Sequence, residues 1–128
     1  MTPNRIVRLH QLTMKYLFIH LLVLLLVSCD WESFEEKFSK VQIGHSREQV
    51  TQLLGDPNMK KDDTVPKGPY FGPQKGLESM IGPGSSYEEW QYKNNKRDYF
   101  IWFSTTSAKP KSQWVVVNKA DYPEGVVF

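Results

Sequence analysis

The C-terminal half of the chain alternates apolar and polar positions in short runs, a period of two that is typical of β-strands. Three such runs are separated by polar turns, and they cover Tyr87–Lys93, Asp98–Ser104 and Gln113–Lys119. The middle run has apolar side chains at both odd and even positions, so it is expected at the centre of a sheet. The short connections between successive runs predict a three-stranded antiparallel meander.

A different spacing precedes these strands, because apolar residues three and four positions apart indicate a helix. Phe34, Phe38 and Val41 would fall on one face of a first helix. Ser46 begins a capping-box sequence for a second helix, and Gly55 is placed to end it. Both helices are short, so they need to pack on the sheet in order to be stable.

Residues 56–86 show neither pattern. Nine of the sixteen Pro and Gly residues of the chain lie between Pro66 and Gly84, and such residues interrupt helices and central strands. We therefore predict one long Pro/Gly-rich loop, which is either functional or mobile. The predicted fold is α+β, with two short N-terminal helices packed on a three-stranded antiparallel meander (ααβββ). The second face of that sheet must meet the loop, a partner or lipid.

The N-terminal residues form a basic stretch followed by an apolar run, Tyr16–Val27. Arg5, Arg8 and Lys15 precede this run, and no acidic residue does. As a helix the run would span roughly 18 Å, which is short of the ~30 Å hydrocarbon core of a bilayer. That length favours the apolar core of a signal peptide, residues 1–28, over a transmembrane helix.

The run ends at residues 26–29 (Leu-Val-Ser-Cys), which resemble the lipobox of bacterial lipoproteins. The resemblance implies that Cys29 receives a diacylglycerol and, after cleavage before it, an N-acyl chain, and we expect no other cofactor. Two or more acyl chains hold a protein stably at a membrane, whereas one gives only marginal binding. The alternatives are an ordinary secretory signal with a nearby Cys and an uncleaved anchor.

Asp30 follows the expected lipidation residue. Its position resembles the signal that retains enterobacterial lipoproteins in the inner membrane. We therefore expect the periplasmic face of the inner membrane of the cell envelope, with the outer membrane as the alternative. Residues 29–33 would form a lipidated tether, residues 34–119 the domain and residues 120–128 a C-terminal tail.

Removal of the signal peptide changes the charge of the chain. The whole sequence has a net charge of +2, but three of its sixteen basic residues lie before Cys29. The remainder has thirteen basic and fourteen acidic residues, a charge of −1. Nucleic acid is therefore not expected as a partner, because binding it requires a basic patch. The single cysteine cannot form an intramolecular disulfide.

Few residues of the mature chain suggest catalytic or ligating chemistry. His45 beside Ser46 lacks a third orienting group, so we interpret Ser46 as a helix N-cap and His45 as a loop residue. The adjacent acidic pairs, Asp62 with Asp63 and Glu88 with Glu89, are interpreted as solvated charges rather than metal ligands. We expect neither an enzyme nor a metal site.

Two segments around the second helix resemble a known family. Residues 41–46 (Val-Gln-Ile-Gly-His-Ser) and 53–57 (Leu-Leu-Gly-Asp-Pro) are similar to the start and end of the short helix in the SmpA/OmlA (BamE-like) lipoprotein domain. Residues 90–92 and 99–103 are similar to its first two strands. The resemblance covers about residues 34–119. It implies an ααβββ fold, lipid anchoring and binding to other proteins, of which outer-membrane protein assembly is the best-known role.

The expected function is that of a lipid-anchored, non-catalytic adaptor or accessory subunit that binds an envelope protein. Four aromatic residues are candidate partner contacts: Tyr70 and Phe71 between prolines of the loop, and Phe100 and Trp102 on the central strand. Aromatic residues are favoured as interface anchors. One alternative is a binding module for an envelope ligand such as lipid or peptidoglycan, which a concave aromatic pocket would favour. Another is an inhibitor of an envelope hydrolase.

Lipidation of Cys29 can be tested directly. Wild-type protein is expected to incorporate a fatty-acid analogue and to fractionate with membranes, whereas Cys29→Ala loses both the label and the membrane association. Ser28→Ala keeps a small residue before the cysteine and serves as the labelled control. An unlabelled wild-type protein in the cytosol contradicts the prediction.

Overall fold

A computed structural model describes residues 10–20 and 31–127. The chain divides into two units, Met1–Glu32 and Ser33–Phe128. In the first unit, residues 10–20 are helical. Among the residues described, no helix combines the length and the apolar character needed to cross a membrane. Cys29 and Asp30, the expected lipidation and sorting residues, lie outside the described residues.

The second unit consists of three helices, four strands and one 3₁₀ turn. In chain order they are α1 (Phe34–Ser39), α2 (Arg47–Leu54), β1 (Met59–Thr64), α3 (Pro73–Ile81), β2 (Ser86–Asn94), β3 (Arg97–Ser104), the 3₁₀ turn (Lys111–Gln113) and β4 (Val115–Pro123). The strands form one antiparallel sheet in the order β1-β2-β3-β4. The predicted central strand is therefore an interior strand, and β4 extends four residues into the segment expected to be a tail.

The prediction of a three-stranded ααβββ meander was wrong, because residues 56–86 contain regular structure. β1 pairs with β2 from Met59 opposite Gln91 to Thr64 opposite Ser86. Five of its six residues are polar and nearly all are exposed, so the strand lacks the apolar alternation that marks a half-buried strand. Charged residues are common on edge strands, where they discourage pairing with other chains.

The same segment also contains α3, whose ends account for the Pro and Gly residues that were interpreted as a loop. Pro73 occupies the first turn of the helix, where its fixed φ and missing N–H are tolerated. Gly82 follows the last turn at a φ of 82°, which favours glycine. The observed order is ααβαβββ, so the fold implied by the family resemblance is also not the observed one.

The two predicted N-terminal helices are confirmed, and they cover one face of the sheet. The side chains of Ser33 and Ser46 each accept a hydrogen bond from the backbone N–H three residues later. The side chains of Glu36 and Gln49 in turn accept from the backbone N–H of those serines, which completes two capping boxes. Beneath the helices lies a first core of buried apolar residues: Phe38, Val41, Val50, Trp90, Tyr92, Tyr99, Ile101, Phe103 and Val116.

The opposite face of the sheet is covered by α3 and the segment that leads into it. A second core consists of Val65, Leu77, Tyr87, Trp102 and Val117. Of the three expected ways to cover this face, the chain therefore uses its own residues 65–81. The sheet lies between helices on both sides, which explains why β3 is apolar at odd and even positions.

Helix α3 approaches β4 closely at Gly76. A Cβ atom at this position would lie 2.7 Å from Nδ2 of Asn118, well inside contact distance. The absence of a side chain therefore lets the helix settle on the strand, although glycine weakens a helix interior. Gly76, a residue type that disfavours helices, therefore lies at the point where α3 meets the side chain of Asn118 on β4.

Truncation of Leu77 measures how much the second layer contributes. Leu77 is 1% exposed, so Leu77→Ala is expected to lower the free energy of unfolding by about 2–4 kcal/mol in urea denaturation. Met80→Ala on the exposed side of the same helix is the control, with an expected change below about 1 kcal/mol. Equal, small effects at both positions would show that α3 does not pack on the sheet.

Candidate functional site

A concave groove of about 300 Å³ lies between α3 and the face of the sheet that this helix partly covers. We call it the α3 groove. Its floor and walls come from the sheet, the helix and the C-terminal residues, and its lining includes Glu89, Gln91, Phe100, Trp102, Pro73, Gln74, Leu77, Val126 and Val127. The helix therefore leaves part of the sheet face open.

Two aromatic rings of β3 form the floor of the groove. Phe100 stacks on Trp102 with 5.7 Å between ring centroids and 10° between planes, because residues two apart in a strand share a face. Nε1 of Trp102 donates to Oε2 of Glu89 at 2.7 Å, its partner on β2. Trp102 is 1% exposed, whereas Phe100 is half-buried. Phe100 is therefore the ring that a ligand can touch.

Polar groups with spare hydrogen-bonding capacity lie beside these rings. Within the described residues, neither the side-chain amide of Gln91 nor Oε1 of Glu89 has a hydrogen-bond partner. Both side chains are half-buried. A salt bridge of 2.8 Å between Lys61 and Asp63 lies at the edge of the same groove. The arrangement can hold a ligand that offers both an apolar face and hydrogen-bonding groups.

Tyr87 is the titratable group most perturbed in the groove. Burial, reinforced by the negative charges of Asp63 and Glu89, raises the pKa of its phenol to about 12. The phenol therefore stays neutral at physiological pH. The Asp63 pKa is lowered, chiefly by hydrogen bonds from Lys61 and from the Thr64 backbone, so this carboxylate stays charged.

The four predicted partner contacts occupy different environments. Phe100 and Trp102 lie together in the groove, although Trp102 belongs to the core. Tyr70 is half-buried against the second core. Phe71 is 63% exposed and lies two residues before Pro73, a wall of the groove. The structure thus brings Phe100 and Trp102 together in the groove, whereas Phe71 lies on the surface, outside the groove lining.

Sequence reasoning did not identify Gln91 and Gln74, and it interpreted Glu89 only as a solvated charge. Glu89 and Gln91 fall at alternating positions of β2, on the same side as Tyr87. That spacing was available from the sequence, but α3, which makes this face concave, was predicted to be a loop. Gln74 depends on α3 itself, since its backbone N–H donates to the carbonyl of Phe71 at 3.1 Å in the first turn.

A second group of charged residues lies around Glu88. This carboxylate accepts hydrogen bonds from Nη2 of Arg47 at 3.3 Å, from Nζ of Lys111 at 2.8 Å and from Nε1 of Trp90. Lys111 also contacts Asp62 at 2.5 Å. Glu88 is 7% exposed, so its interpretation as a solvated charge was wrong. The network joins α2, β1, β2 and the 3₁₀ turn, which gives it a structural role.

Burial of Glu88 alone would raise its pKa. Hydrogen bonds from Lys111 and Trp90 and the positive charges of Arg47 and Lys111 outweigh that effect and hold the Glu88 pKa below its usual value. A carboxyl group whose pKa is lowered by folding stabilises the folded state above its unfolded-state pKa, and that contribution disappears as the pH falls through its folded-state pKa.

The side chains of His45 and Ser46, the remaining candidates for catalytic chemistry, accept hydrogen bonds from the backbone. Nδ1 of His45 accepts from the N–H of Gln42 at 3.3 Å, and Oγ of Ser46 accepts from the N–H of Gln49 at 3.2 Å. These are the loop and capping roles interpreted from the sequence. In the described part of the chain, no group of three or more His, Cys, Asp or Glu residues is placed to hold a metal ion.

Comparison with known proteins gives no relative. No protein-family model, curated protein or solved structure matches the chain.

Replacement of Glu88 tests the charged network. Glu88→Gln is expected to lower the free energy of unfolding by about 2 kcal/mol at neutral pH, because it weakens hydrogen bonds between charged groups in a largely buried site. The gap between wild type and variant should shrink on acidification, as the pH falls through the lowered folded-state pKa of Glu88 and the wild-type carboxyl becomes protonated. Urea denaturation across this pH range measures both. A gap that does not change with pH contradicts the assigned ionised state.

Proposed function

We propose that this protein is a lipid-anchored lipoprotein of the bacterial cell envelope whose domain binds a short segment of a partner protein in the α3 groove. The observation that carries the binding role is the open floor beside α3, where the half-buried Phe100 ring adjoins hydrogen-bonding groups of Gln91 and Glu89 without partners in the described residues. The anchoring role rests on the signal sequence that ends at Cys29.

The composition of the groove favours a peptide segment as its ligand. Protein interfaces combine an aromatic or aliphatic centre with hydrogen bonds at about one per 100–200 Å² of buried area. The groove offers Phe100 as the apolar contact and Gln91 as both donor and acceptor. Two exposed apolar side chains adjoin the groove. Val127, 91% exposed, belongs to its lining, and Phe71, 63% exposed, lies two residues before the lining residue Pro73. A volume of about 300 Å³ fits a few side chains.

The resemblance of residues 41–57 to SmpA/OmlA lipoproteins supports the same class of function, because members of that family are lipid-anchored and bind proteins. The fourth strand and α3 distinguish the observed fold from the ααβββ arrangement that the resemblance implies. The partner is accordingly proposed only as an envelope protein. A role in outer-membrane protein assembly would be one instance of this proposal.

In-cell photo-cross-linking tests the proposed binding surface. A photoreactive phenylalanine analogue at Phe71 is expected to form an adduct with a discrete envelope protein. The same analogue at Ser112, an exposed residue of the 3₁₀ turn outside the groove lining, is the matched control and gives no such adduct. Gln91→Ala should lower the yield about threefold to tenfold at subsaturating partner, the equivalent of one neutral hydrogen bond. Equal adducts from both positions, or a yield independent of Gln91, contradict the proposal.

A glycan strand of the envelope is the second candidate ligand. It is favoured by the carboxylate of Glu89 and the amides of Gln74 and Gln91 around an aromatic ring, since these groups can bind sugar hydroxyls and a sugar face. Co-sedimentation of the protein with isolated peptidoglycan distinguishes the two candidates. Sedimentation that Gln91→Ala weakens, together with no protein adduct from position 71, favours the glycan.

A further inference from the structure

The first helix of the domain begins at the end of the sheet formed by the β2–β3 hairpin. The ring of Phe34 lies 5.5 Å from that of Tyr92 and 5.0 Å from that of Tyr99, a cross-strand pair close to the turn. The other end of α1 lies further along the sheet, where Nζ of Lys119 donates to the carbonyls of Phe38 at 2.9 Å and Ser39 at 3.2 Å.

Other segments meet at the same end, which we call the hairpin end. It comprises the turn at residues 94–97, residues 56–58 after α2, and residues 123–124 after β4. The N–H of Lys93 donates to Oδ1 of Asn58 at 2.8 Å, and the N–H of Glu124 donates to the carbonyl of Lys96 at 3.0 Å. The loop after Ser104, at the other end of β3, forms the far end.

The tether that would join this end to the lipid is short. Four peptide units separate Cys29 from Ser33, the N-cap of α1, so even a fully extended chain spans at most ~14 Å between their Cα atoms. The nine residues of β2 extend over roughly 30 Å. A tether of this length cannot pass around the domain to bring the far end to the bilayer.

The tether also carries a large amphipathic side chain. Trp31 is 94% exposed and lies two residues from Cys29, within ~7 Å of its Cα atom. Tryptophan is enriched at the level of lipid headgroups, because its ring is largely apolar while its N–H needs a polar partner. An anchored Cys29 would hold this indole at that depth.

The charged residues at the hairpin end do not form a basic patch that would attract the domain to a lipid surface. Lys93 and Lys96 are exposed, and among the described residues neither makes a salt bridge. Arg97 is paired with Asp121, and Glu35 and Glu124 lie on the same end of the domain. Asp56 and Asp98 also lie here, so three basic residues stand against five acidic ones and the hairpin end has no basic patch. The short tether and Trp31, rather than a basic patch, would determine the orientation.

We infer that the domain rests on the lipid surface through its hairpin end, with the Trp31 indole in the headgroup layer and the far end directed away from the membrane. This inference rests on the proposed lipidation of Cys29. It goes beyond that proposal because anchoring alone fixes neither the orientation of the domain nor the depth of Trp31.

The single cysteine of the chain makes the test specific. Once Cys29 is lipidated, a cysteine introduced at Asn94 or at Ala108 is the only thiol available for a fluorophore. Both positions are exposed, and they lie at the hairpin end and in the far-end loop. The lipidated variants are purified and reconstituted in vesicles of phosphatidylethanolamine with a minority of phosphatidylglycerol, some of it spin-labelled at the headgroup.

We expect headgroup spin labels to quench the probe at position 94 at least about threefold more than the probe at position 108, since such quenching requires close approach. Equal quenching, or stronger quenching at position 108, overturns the inferred orientation. Trp31 is tested in the same vesicles with brominated lipids, which should quench a tryptophan signal that Trp31→Phe removes. Brominated-lipid quenching that is the same in wild type and Trp31→Phe overturns the inferred position of the indole.

These results are distinguishable from failure of the anchor itself. A protein without lipid on Cys29 does not take up the fatty-acid label and does not remain with vesicles on flotation, so neither quenching measurement would then report on orientation. Flotation of every variant is therefore measured first. A protein that lacks the label contradicts the anchor and, with it, this inference.

Discussion

The fold depends on the burial of a sheet that is apolar on both faces. Tyr99, Ile101 and Phe103 of β3 belong to the core under α1 and α2, whereas Trp102 belongs to the core under α3. If either set were left in water, several large side chains would be exposed, at a free-energy cost of about 25 cal/mol for each Å² of apolar surface. Two helical layers are therefore required, and the second must come from the segment between β1 and β2.

That second layer also creates the groove. α3 contributes a single fully buried leucine, Leu77, and it approaches β4 closely at Gly76. The helix is nine residues long and covers only part of the face beneath it. Phe100 and Gln91 remain accessible at its side. The candidate binding surface is thus the part of the sheet face that α3 does not cover. The shape of the groove therefore depends on the stable packing of α3.

The sequence was sufficient for the elements whose signals are local. The capping boxes at Ser33 and Ser46 and the alternation in β2 and β3 depend on residues only a few positions apart. β1 could not be recognised in this way, because a polar edge strand gains its structure from pairing with β2 rather than from burial. α3 was missed because Pro73, Gly76 and Gly82 each have a specific place in or beside a helix but resemble loop residues when counted together.

The residues of the candidate site also divide into those with a local sequence signal and those that depend on distant parts of the chain. Phe100 and Trp102 were identified from the strand pattern alone, since an apolar second face must be covered. Glu89 and Gln91 had the correct spacing, but their importance depends on a helix supplied by a distant part of the chain. Glu88 was misjudged for a related reason: its partners, Arg47 and Lys111, are 41 and 23 positions away in the sequence. Long-range partners of this kind leave no local pattern.

The polar edge of the sheet acquires a further importance for a protein held at a surface. Lys60 lies over the ring of Trp90 at 4.4 Å, and Lys61, Asp62 and Asp63 complete a highly charged edge strand. Tethered molecules diffuse in two dimensions and meet one another far more often than in bulk solution, so an open strand would invite polymerisation between neighbours. If the protein is anchored as proposed, the charged β1 would discourage pairing between neighbouring molecules at this edge of the sheet.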